Sequence, residues 1–187
     1  MEHRPVKNVA QVRRAQTDDC AGLARVQVDS YRMAYAGLLP EDYLARFTYE
    51  EQEQDWHDWL VSRPNDILLV AESDRGEIMG YALGRPGPSN IAPYDSELLA
   101  LHIRHVYRRQ GIGRLLIAAM ARELKRQGCS SLMLWILQKN PARSFYEQLG
   151  GRLIGEQTVM LGPGDAGATE VAYGWSSIDS LCELSQS

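Results

Sequence analysis

A chain of 187 residues with a formal net charge of −4 is long enough for one well-buried domain, and its overall charge is wrong for a nucleic-acid surface. Its apolar runs all fall short of the roughly 18 residues that span a membrane, and the segment Met1–Pro5 contains no signal-peptide core. Three cysteines without a C-x-x-C pair, and histidines without an H-E-x-x-H pattern, predict reduced thiols and no metal site. We therefore expect a cytoplasmic protein with no nucleic-acid, membrane or metal partner.

The first third of the chain is predicted to be mostly helical. A short strand over Val12–Gln16 precedes a helix over residues 17–31, which Thr17 or Asp18 would cap. Two further helices are expected, one after Pro40 and one that ends at Pro64.

Strands dominate the middle of the chain. Ile67–Glu72 and Ile78–Gly84 are strand-like runs whose connection contains Asp and Gly, which predicts an antiparallel hairpin. Residues 85–93 form a loop by composition. The nearly continuous apolar run Glu97–Ile103 is typical of a strand at the centre of a sheet.

The second half begins with the order strand, helix, strand. Leucines recur at helical spacing from Arg114 until Gly128, and Leu132–Leu137 then reads as a buried strand, so a right-handed parallel crossover is expected. Asn140 is predicted to cap a further helix, before two closing strands over Arg152–Leu161 and Glu170–Ser176. We expect one domain over residues 11–178, a flexible N-terminus over residues 1–10 and a C-terminal tail over residues 179–187.

The run from Arg108 to Gly113 lies between the central strand and the following helix. Its two glycines permit a tight turn, and the helix start behind them would direct unpaired N–H groups at an anion. A Walker loop is excluded because no Lys-Ser or Lys-Thr pair follows Gly113. A dinucleotide fingerprint is weak because Leu116 occupies the third glycine position and no acidic ribose ligand follows the next strand.

What remains, R-x-x-G-x-G, resembles the coenzyme A pyrophosphate loop of the GNAT N-acetyltransferase superfamily. Downstream, Asn140–Gly150 is similar to that family's second signature, although its alanine comes one place early and Gly151 stands where an aromatic residue is usual. His105 replaces the proline that is common before the loop. The specific resemblance covers Glu97–Gly151, under a third of the chain.

This resemblance implies an α+β fold: a mixed, mostly antiparallel central sheet flanked by helices, with one parallel crossover and a slot for acetyl-CoA where the fourth and fifth strands splay apart. The backbone of the fourth strand would pair with the pantetheine arm. The residues that the resemblance assigns to acetyl-CoA are Leu101, Ile103, Arg108, Arg109, Gln110, Gly111, Ile112, Gly113, Arg114, Asn140 and Arg143.

The implied reaction is transfer of an acetyl group to a primary amine by direct attack in a ternary complex. Tyr146 stands where the family places the tyrosine that protonates the leaving thiolate, although a tyrosine on an apolar helix stripe is often only core. Glu97 stands where members resembling histone acetyltransferases carry a general base. A glutamate with a pKa of about 4.3 is a weak base unless burial raises its pKa or water relays the proton, and both routes are open, as is a merely structural role.

The acceptor could be a small-molecule amine or an amine of a peptide or protein, and a homodimer is possible by resemblance. The aromatic and apolar residues of the first third are candidates for the acceptor pocket, and Glu41, Asp42 or Asp95 could hold a cation. The pocket candidates are Tyr31, Met33, Tyr35, Leu38, Leu39 and Tyr43. Two other functions stay open: a non-catalytic acyl-CoA-binding or sensing domain, and a nucleotide-binding module.

Overall fold

The computed structural model describes residues 10–34, 41–160 and 167–184. The strands are β1 (Gln11–Arg14), β2 (Ile67–Glu72), β3 (Ile78–Pro86), β4 (Ser96–Ile103), β5 (Leu132–Leu137), β6 (Arg152–Val159) and β7 (Ala168–Trp175). The helices are α1 (Cys20–Ala34), α2 (Glu41–Leu44), α3 (Tyr49–Ser62), α4 (Ile112–Arg126), α5 (Arg143–Gln148) and α6 (Asp179–Cys182).

The predicted α+β fold is confirmed. The strands form one sheet in the order β1-β2-β3-β4-β5-β7-β6, in which β4 and β5 are parallel and all other neighbours are antiparallel. Because β4 lies at the centre of the sheet, its side chains pack against a hydrophobic cluster on each face, which explains its nearly unbroken apolar run.

Two hydrophobic clusters hold the helices on the sheet. On one face, α4 inserts Leu116, Met120 and Leu124, which are all fully buried. On the opposite face, α1 and α3 contribute Leu23 and Trp56 to a second cluster. These two faces are called the α4 face and the α1 face below.

Several element boundaries differ from the sequence-based expectation for local reasons. Residues 17–19 form a 3-10 turn before α1, in which the Asp19 carboxylate accepts a hydrogen bond from the Gln16 N–H (2.7 Å). The helix of the crossover, α4, begins at Ile112 instead of Arg114. Gly111 adopts a left-handed conformation with φ of 81°, and the helix starts at the next residue. Part of the expected loop between the closing strands, at residues 161–166, lies outside the described residues.

Part of the expected C-terminal tail packs into the core. Residues 1–9 of the expected flexible N-terminus, and residues 185–187 of the expected tail, lie outside the described residues. The tail begins with α6, whose Leu181 is fully buried in the cluster on the α4 face. Core packing therefore continues past residue 178.

Candidate active site

A slot opens between β4 and β5. These parallel strands share a single bridge pair, Glu97 with Met133, whereas β5 pairs with β7 along its whole length. Beyond Glu97 the β5-facing edge of β4 has no strand partner among the described residues. The predicted splay is thus present, closed at the Glu97 end and open toward Ile103.

The register with β3 determines which backbone groups of β4 face this slot. Just past the strand, the Arg104 N–H donates to the Met79 carbonyl (2.9 Å). Hydrogen-bonded and non-bonded pairs alternate along an antiparallel ladder, so Ile103 and Leu101 occupy the alternate positions. Their N–H and C=O groups therefore point away from β3 and into the slot, as contact with an extended ligand arm would require.

A β-bulge, which the sequence analysis did not predict, lies at the point where the slot begins. The register with β3 shifts so that Leu99 has no partner there, and Leu99 and Ala100 both pack toward the α1 face although consecutive strand residues normally alternate. The extra residue lies two positions beyond the Glu97 bridge, so the bend in β4 coincides with the departure of β5.

The open end of the slot meets the glycine turn. Arg109 and Gly111 both have positive φ, 62° and 81°, and the first helical hydrogen bond of α4 runs from the Leu115 N–H to the Gly111 carbonyl (3.0 Å). The N–H groups of Ile112 and Gly113 precede that bond and face the helix N-terminus, where the helix dipole favours an anion. This is the local geometry that the motif predicts.

Two polar side chains of the turn are held by nearby backbone carbonyls. The Arg108 guanidinium donates through Nε to the Ile103 carbonyl (3.2 Å), at the mouth of the slot. The Gln110 side chain donates to the Val106 carbonyl (3.0 Å) and stabilises the turn. Arg114 also makes interactions within the protein.

The second glycine of the motif has a packing role. A Cβ atom on Gly113 would lie 3.1 Å from Ile103 Cδ1 and 3.2 Å from Phe145 Cζ. Gly113 therefore lets the start of α4 pack closely against the end of β4 and against α5. Three elements converge at this glycine, next to the mouth of the slot.

Tyr146 lies on α5, on the α4 face of the sheet. Its ring is buried, with edge contacts to Phe145 (5.3 Å between centroids) and Trp175 (6.4 Å). Burial raises the pKa of the Tyr146 hydroxyl, so the phenol is protonated at neutral pH. No hydrogen bond joins this hydroxyl to another described residue.

Glu97 lies at the closed end of the slot and is half-buried. Burial raises the pKa of its carboxyl group, the positive charge of Arg85 opposes that shift, and the negative charge of Glu170 adds to it. Arg85 itself is held by Asp66 in a bidentate ion pair (3.0 and 3.1 Å). Glu97 makes no hydrogen bond to another described residue.

Two predicted cofactor residues near α5 are held in local networks. Asn140 accepts a hydrogen bond from the Ala142 N–H (2.9 Å) and so shapes the turn before α5, which begins at Arg143 and not directly after Asn140. Arg143 donates to the Tyr173 hydroxyl (3.0 Å) and to the Gln138 carbonyl (2.9 Å). The Arg143 side chain is thereby turned toward β7.

Asp95 was a candidate for holding a cation, but in the structure its carboxylate is hydrogen-bonded to other residues of the protein. Its carboxylate accepts hydrogen bonds from the N–H and hydroxyl groups of both Ser130 and Ser131, at 2.8–3.2 Å. The neighbouring Ser96 hydroxyl donates to the Ser131 carbonyl (2.5 Å). This polar clamp fastens the start of β4 to the start of β5, just behind the closed end of the slot.

The remaining acceptor candidates are only partly brought together. Tyr31 of α1 lies beside β4, whereas the Met33 side chain is 47% exposed. Tyr35, Leu38 and Leu39 lie outside the described residues, as do the side chains of Asp42 and Tyr43. The sequence analysis missed His102, whose ring lies between Tyr31 and Tyr81; only the fold shows that these residues meet.

Two further findings concern the described residues as a whole. No three His, Cys, Asp or Glu side chains among them are placed to share a metal ion. No helix among them is long and apolar enough to cross a membrane.

Comparisons with known proteins point to one family. The model of the acetyltransferase (GNAT) family matches residues 31–151. The uncharacterized N-acetyltransferase YuaI of Bacillus subtilis is 34% identical over 175 residues, which cover 92% of this chain and 96% of that protein. A spermidine N(1)-acetyltransferase of Thermoplasma acidophilum is 24% identical over 144 residues, 75% of this chain and 86% of that protein.

The fold is also shared with solved structures. The PaiA N-acetyltransferase of Thermoplasma acidophilum, solved in complex with coenzyme A, superposes with a TM-score of 0.65 at 20% identity and covers 89% of this chain and 99% of its own. The family model spans well over half of the chain, and the Bacillus relative is similar over nearly its whole length. This chain therefore belongs to the GNAT family of acetyltransferases.

Proposed function

We propose that this protein transfers the acetyl group of acetyl-CoA to a primary amine of a small molecule, peptide or protein, by direct attack in a ternary complex. The observation that carries the proposal is the unpaired edge of β4, which opens onto a left-handed glycine turn at the start of α4. An extended amide-bearing arm fits the first feature, and a pyrophosphate fits the second. The Thermoplasma relative, a spermidine N(1)-acetyltransferase, supports an amine acceptor.

The residues around the slot suit coenzyme A in their chemistry. Leu101 offers an outward-facing N–H and C=O, and Ile103 an outward-facing N–H, for the pantetheine amides, whereas the Ile103 carbonyl accepts a hydrogen bond from Arg108. The N–H groups of Ile112 and Gly113, together with the Arg108 guanidinium, offer donors and positive charge for the phosphates. Acetyl-CoA would supply the activated thioester carbonyl, and the backbone of β4 near the bulge is positioned to stabilise the developing oxyanion.

Proton transfers are assigned to Glu97 and Tyr146. The amine nitrogen forms a bond to the thioester carbon, the C–S bond breaks, and the sulfur leaves with the bonding electron pair. The amine gives up a proton to Glu97, directly or through water, and the thiolate takes a proton from the Tyr146 hydroxyl. Burial supports the role of Glu97, because it makes Glu97 a stronger base than an exposed glutamate. The Tyr146 hydroxyl is protonated at neutral pH, but burial also makes it a weaker acid, so its proton transfer depends on close contact with the sulfur as the thiolate departs.

The first test is a calorimetric titration with acetyl-CoA, with NAD and ATP as controls, followed by thiol release in the presence of a panel of amines. We expect selective micromolar binding of acetyl-CoA and thiol release that depends on the acceptor. Tyr146→Phe should bind acetyl-CoA like the parent, yet release thiol at least about tenfold more slowly, since positioned proton donors contribute roughly 100-fold or more.

Contrary results separate the alternatives. Acetyl-CoA binding without turnover, with the Tyr146→Phe protein indistinguishable from the parent, would instead establish an acyl-CoA-binding or sensing domain. Tighter binding of NAD or ATP than of acetyl-CoA would overturn the cofactor assignment and favour a nucleotide-binding module.

A further inference from the structure

An imidazole that has no hydrogen-bond partner among the described residues lies next to the slot. His102 is half-buried on β4, and its ring contacts the rings of Tyr81 on β3 (5.3 Å between centroids) and Tyr31 on α1 (5.8 Å). Neither ring nitrogen is hydrogen-bonded to another described residue. Burial lowers the pKa of His102 to about 4, and the positive charge of Arg108 acts in the same direction. The ring is therefore neutral at pH 7, with one nitrogen free to accept a hydrogen bond.

The His102 ring is only partly buried, and its nitrogens are not among the fully buried side-chain atoms that lack a partner in the described part of the chain. They therefore stay accessible and can accept a hydrogen bond from a bound molecule. Nearby, the Asp95 carboxylate receives hydrogen bonds from four donors of Ser130 and Ser131. Asp95 is thus satisfied within the protein, whereas the nitrogens of His102 remain available to a molecule that enters the slot.

The face on which His102 lies is the open approach to the slot. The side chains of Leu101 and Ile103 pack into the cluster on the α4 face, which closes that side. His102 lies between them in sequence and projects to the α1 face, as do Leu99 and Ala100 of the bulge. With the cofactor arm along the strand edge, an acceptor must approach from the α1 face and so passes the imidazole.

We propose that His102 contacts the acceptor amine: its neutral imidazole accepts a hydrogen bond from the amine N–H and orients the nitrogen lone pair toward the thioester carbon. This inference rests on the proposed acetyltransferase function. It assigns His102 a role distinct from that of Glu97, which takes the proton. The ring of Tyr31, on the other side of the imidazole, would lie along the carbon arm of the acceptor.

Two substitutions separate this contact from simple packing. His102→Phe keeps an aromatic ring between the tyrosines but removes both nitrogens, whereas His102→Gln retains a hydrogen-bond acceptor near the position of Nε2. His105→Phe, at an exposed histidine of the following turn, is the matched control. Acceptors are spermidine, phenethylamine, Nα-acetyl-lysine amide and an alanine-initiated peptide, and acetyl-CoA binding is measured on every variant by calorimetry.

We expect His102→Phe to lower kcat/KM for the amine at least tenfold, with the Kd for acetyl-CoA within twofold of the parent. For His102→Gln, kcat/KM for the amine should lie within about threefold of the parent value. For His105→Phe it should equal the parent value. Equal losses in the Phe and Gln variants, or a parallel loss of acetyl-CoA binding, would show a packing role and overturn the inference. So would a His102→Phe protein as active as the parent. If the parent itself binds acetyl-CoA but acetylates none of the four acceptors, the proposed function fails first, and the inference fails with it.

Discussion

The two glycines that flank α4 allow the phosphate-binding role of its N-terminal turn to be separated from simple backbone strain. Gly111 precedes the helix with φ of 81°, and Gly128 follows it with φ of 87°. Alanine in this left-handed region costs about 1–2 kcal/mol at either position. For a chain of this size each kcal/mol corresponds to roughly 2–4 °C in Tm, so a variant that retains the full strain should lose about 2–8 °C.

The two variants should differ in their affinity for acetyl-CoA. In Gly111→Ala the free protein can relieve the strain by relaxing φ, which turns the N–H groups of Ile112 and Gly113 away from the anion. Binding must then restore the strained turn, and about 1–2 kcal/mol corresponds to a Kd roughly 5–30-fold higher. At Gly128 a new Cβ meets nothing within 4 Å, and the site lies at the other end of the helix, so the Kd should not change.

Thermal unfolding and calorimetric titration of the two variants and the parent provide the comparison. The expected pattern is a loss of affinity in Gly111→Ala alone, together with a loss of Tm smaller than the full strain would cause. If Gly111→Ala shows this smaller loss of Tm yet binds acetyl-CoA as tightly as the parent, the turn before α4 does not hold the pyrophosphate. An equal loss of affinity in Gly128→Ala would mean that the effect is general destabilisation.

Two predictions concern the stability of the framework. Burial raises the pKa of Asp95, but the hydrogen bonds from Ser130 and Ser131 outweigh it and hold the pKa below the usual value. The ionised carboxylate therefore stabilises the fold above the ordinary aspartate pKa and loses this effect as the pH falls through the lower folded-state pKa. Urea unfolding should show Asp95→Asn less stable than the parent by at least about 2 kcal/mol at pH 6, with the gap narrowing below about pH 4; a gap independent of pH would contradict the ionic role. Leu181→Ala should lower stability by about 2–5 kcal/mol, as in a filled core, whereas the exposed control Ser180→Ala should change it by less than about 0.5 kcal/mol; equal effects would place α6 outside the core.

The strands that the sequence predicts to the residue are those whose apolar runs end at strong breakers. Ile67–Glu72 and Leu132–Leu137 are both such runs, and the structure confirms their bounds. The bulge at Leu99 leaves no such trace. The residues before and after Leu99 are apolar, so the sequence does not show that the alternation of side chains between the two faces of the sheet is interrupted there. Only the pairing of β4 with β3 reveals the bulge.

Site residues were predictable where a local motif carries them and not where distant residues decide the outcome. The turn at Gly111 is local, and the motif gives its geometry. Asp95 could be interpreted as a cation-holding carboxylate, because its serine partners are 35 and 36 positions away in sequence. His102 gave no signal, because the tyrosines that enclose it come from α1 and β3.

The arrangement of paired and unpaired polar groups connects the fold to catalysis. Behind the closed end of the slot, Asp95 and its serines hold β4 against β5, and this clamp allows the strands to part immediately after Glu97 without a longer ladder. In front of the clamp, Glu97 and His102 lie on β4, whereas Tyr146 lies on α5 at the α4 face, and none of the three is hydrogen-bonded to another described residue. The clamp makes all its hydrogen bonds within the protein, whereas the polar groups of β4 at the slot keep hydrogen-bonding capacity that bound substrates can use.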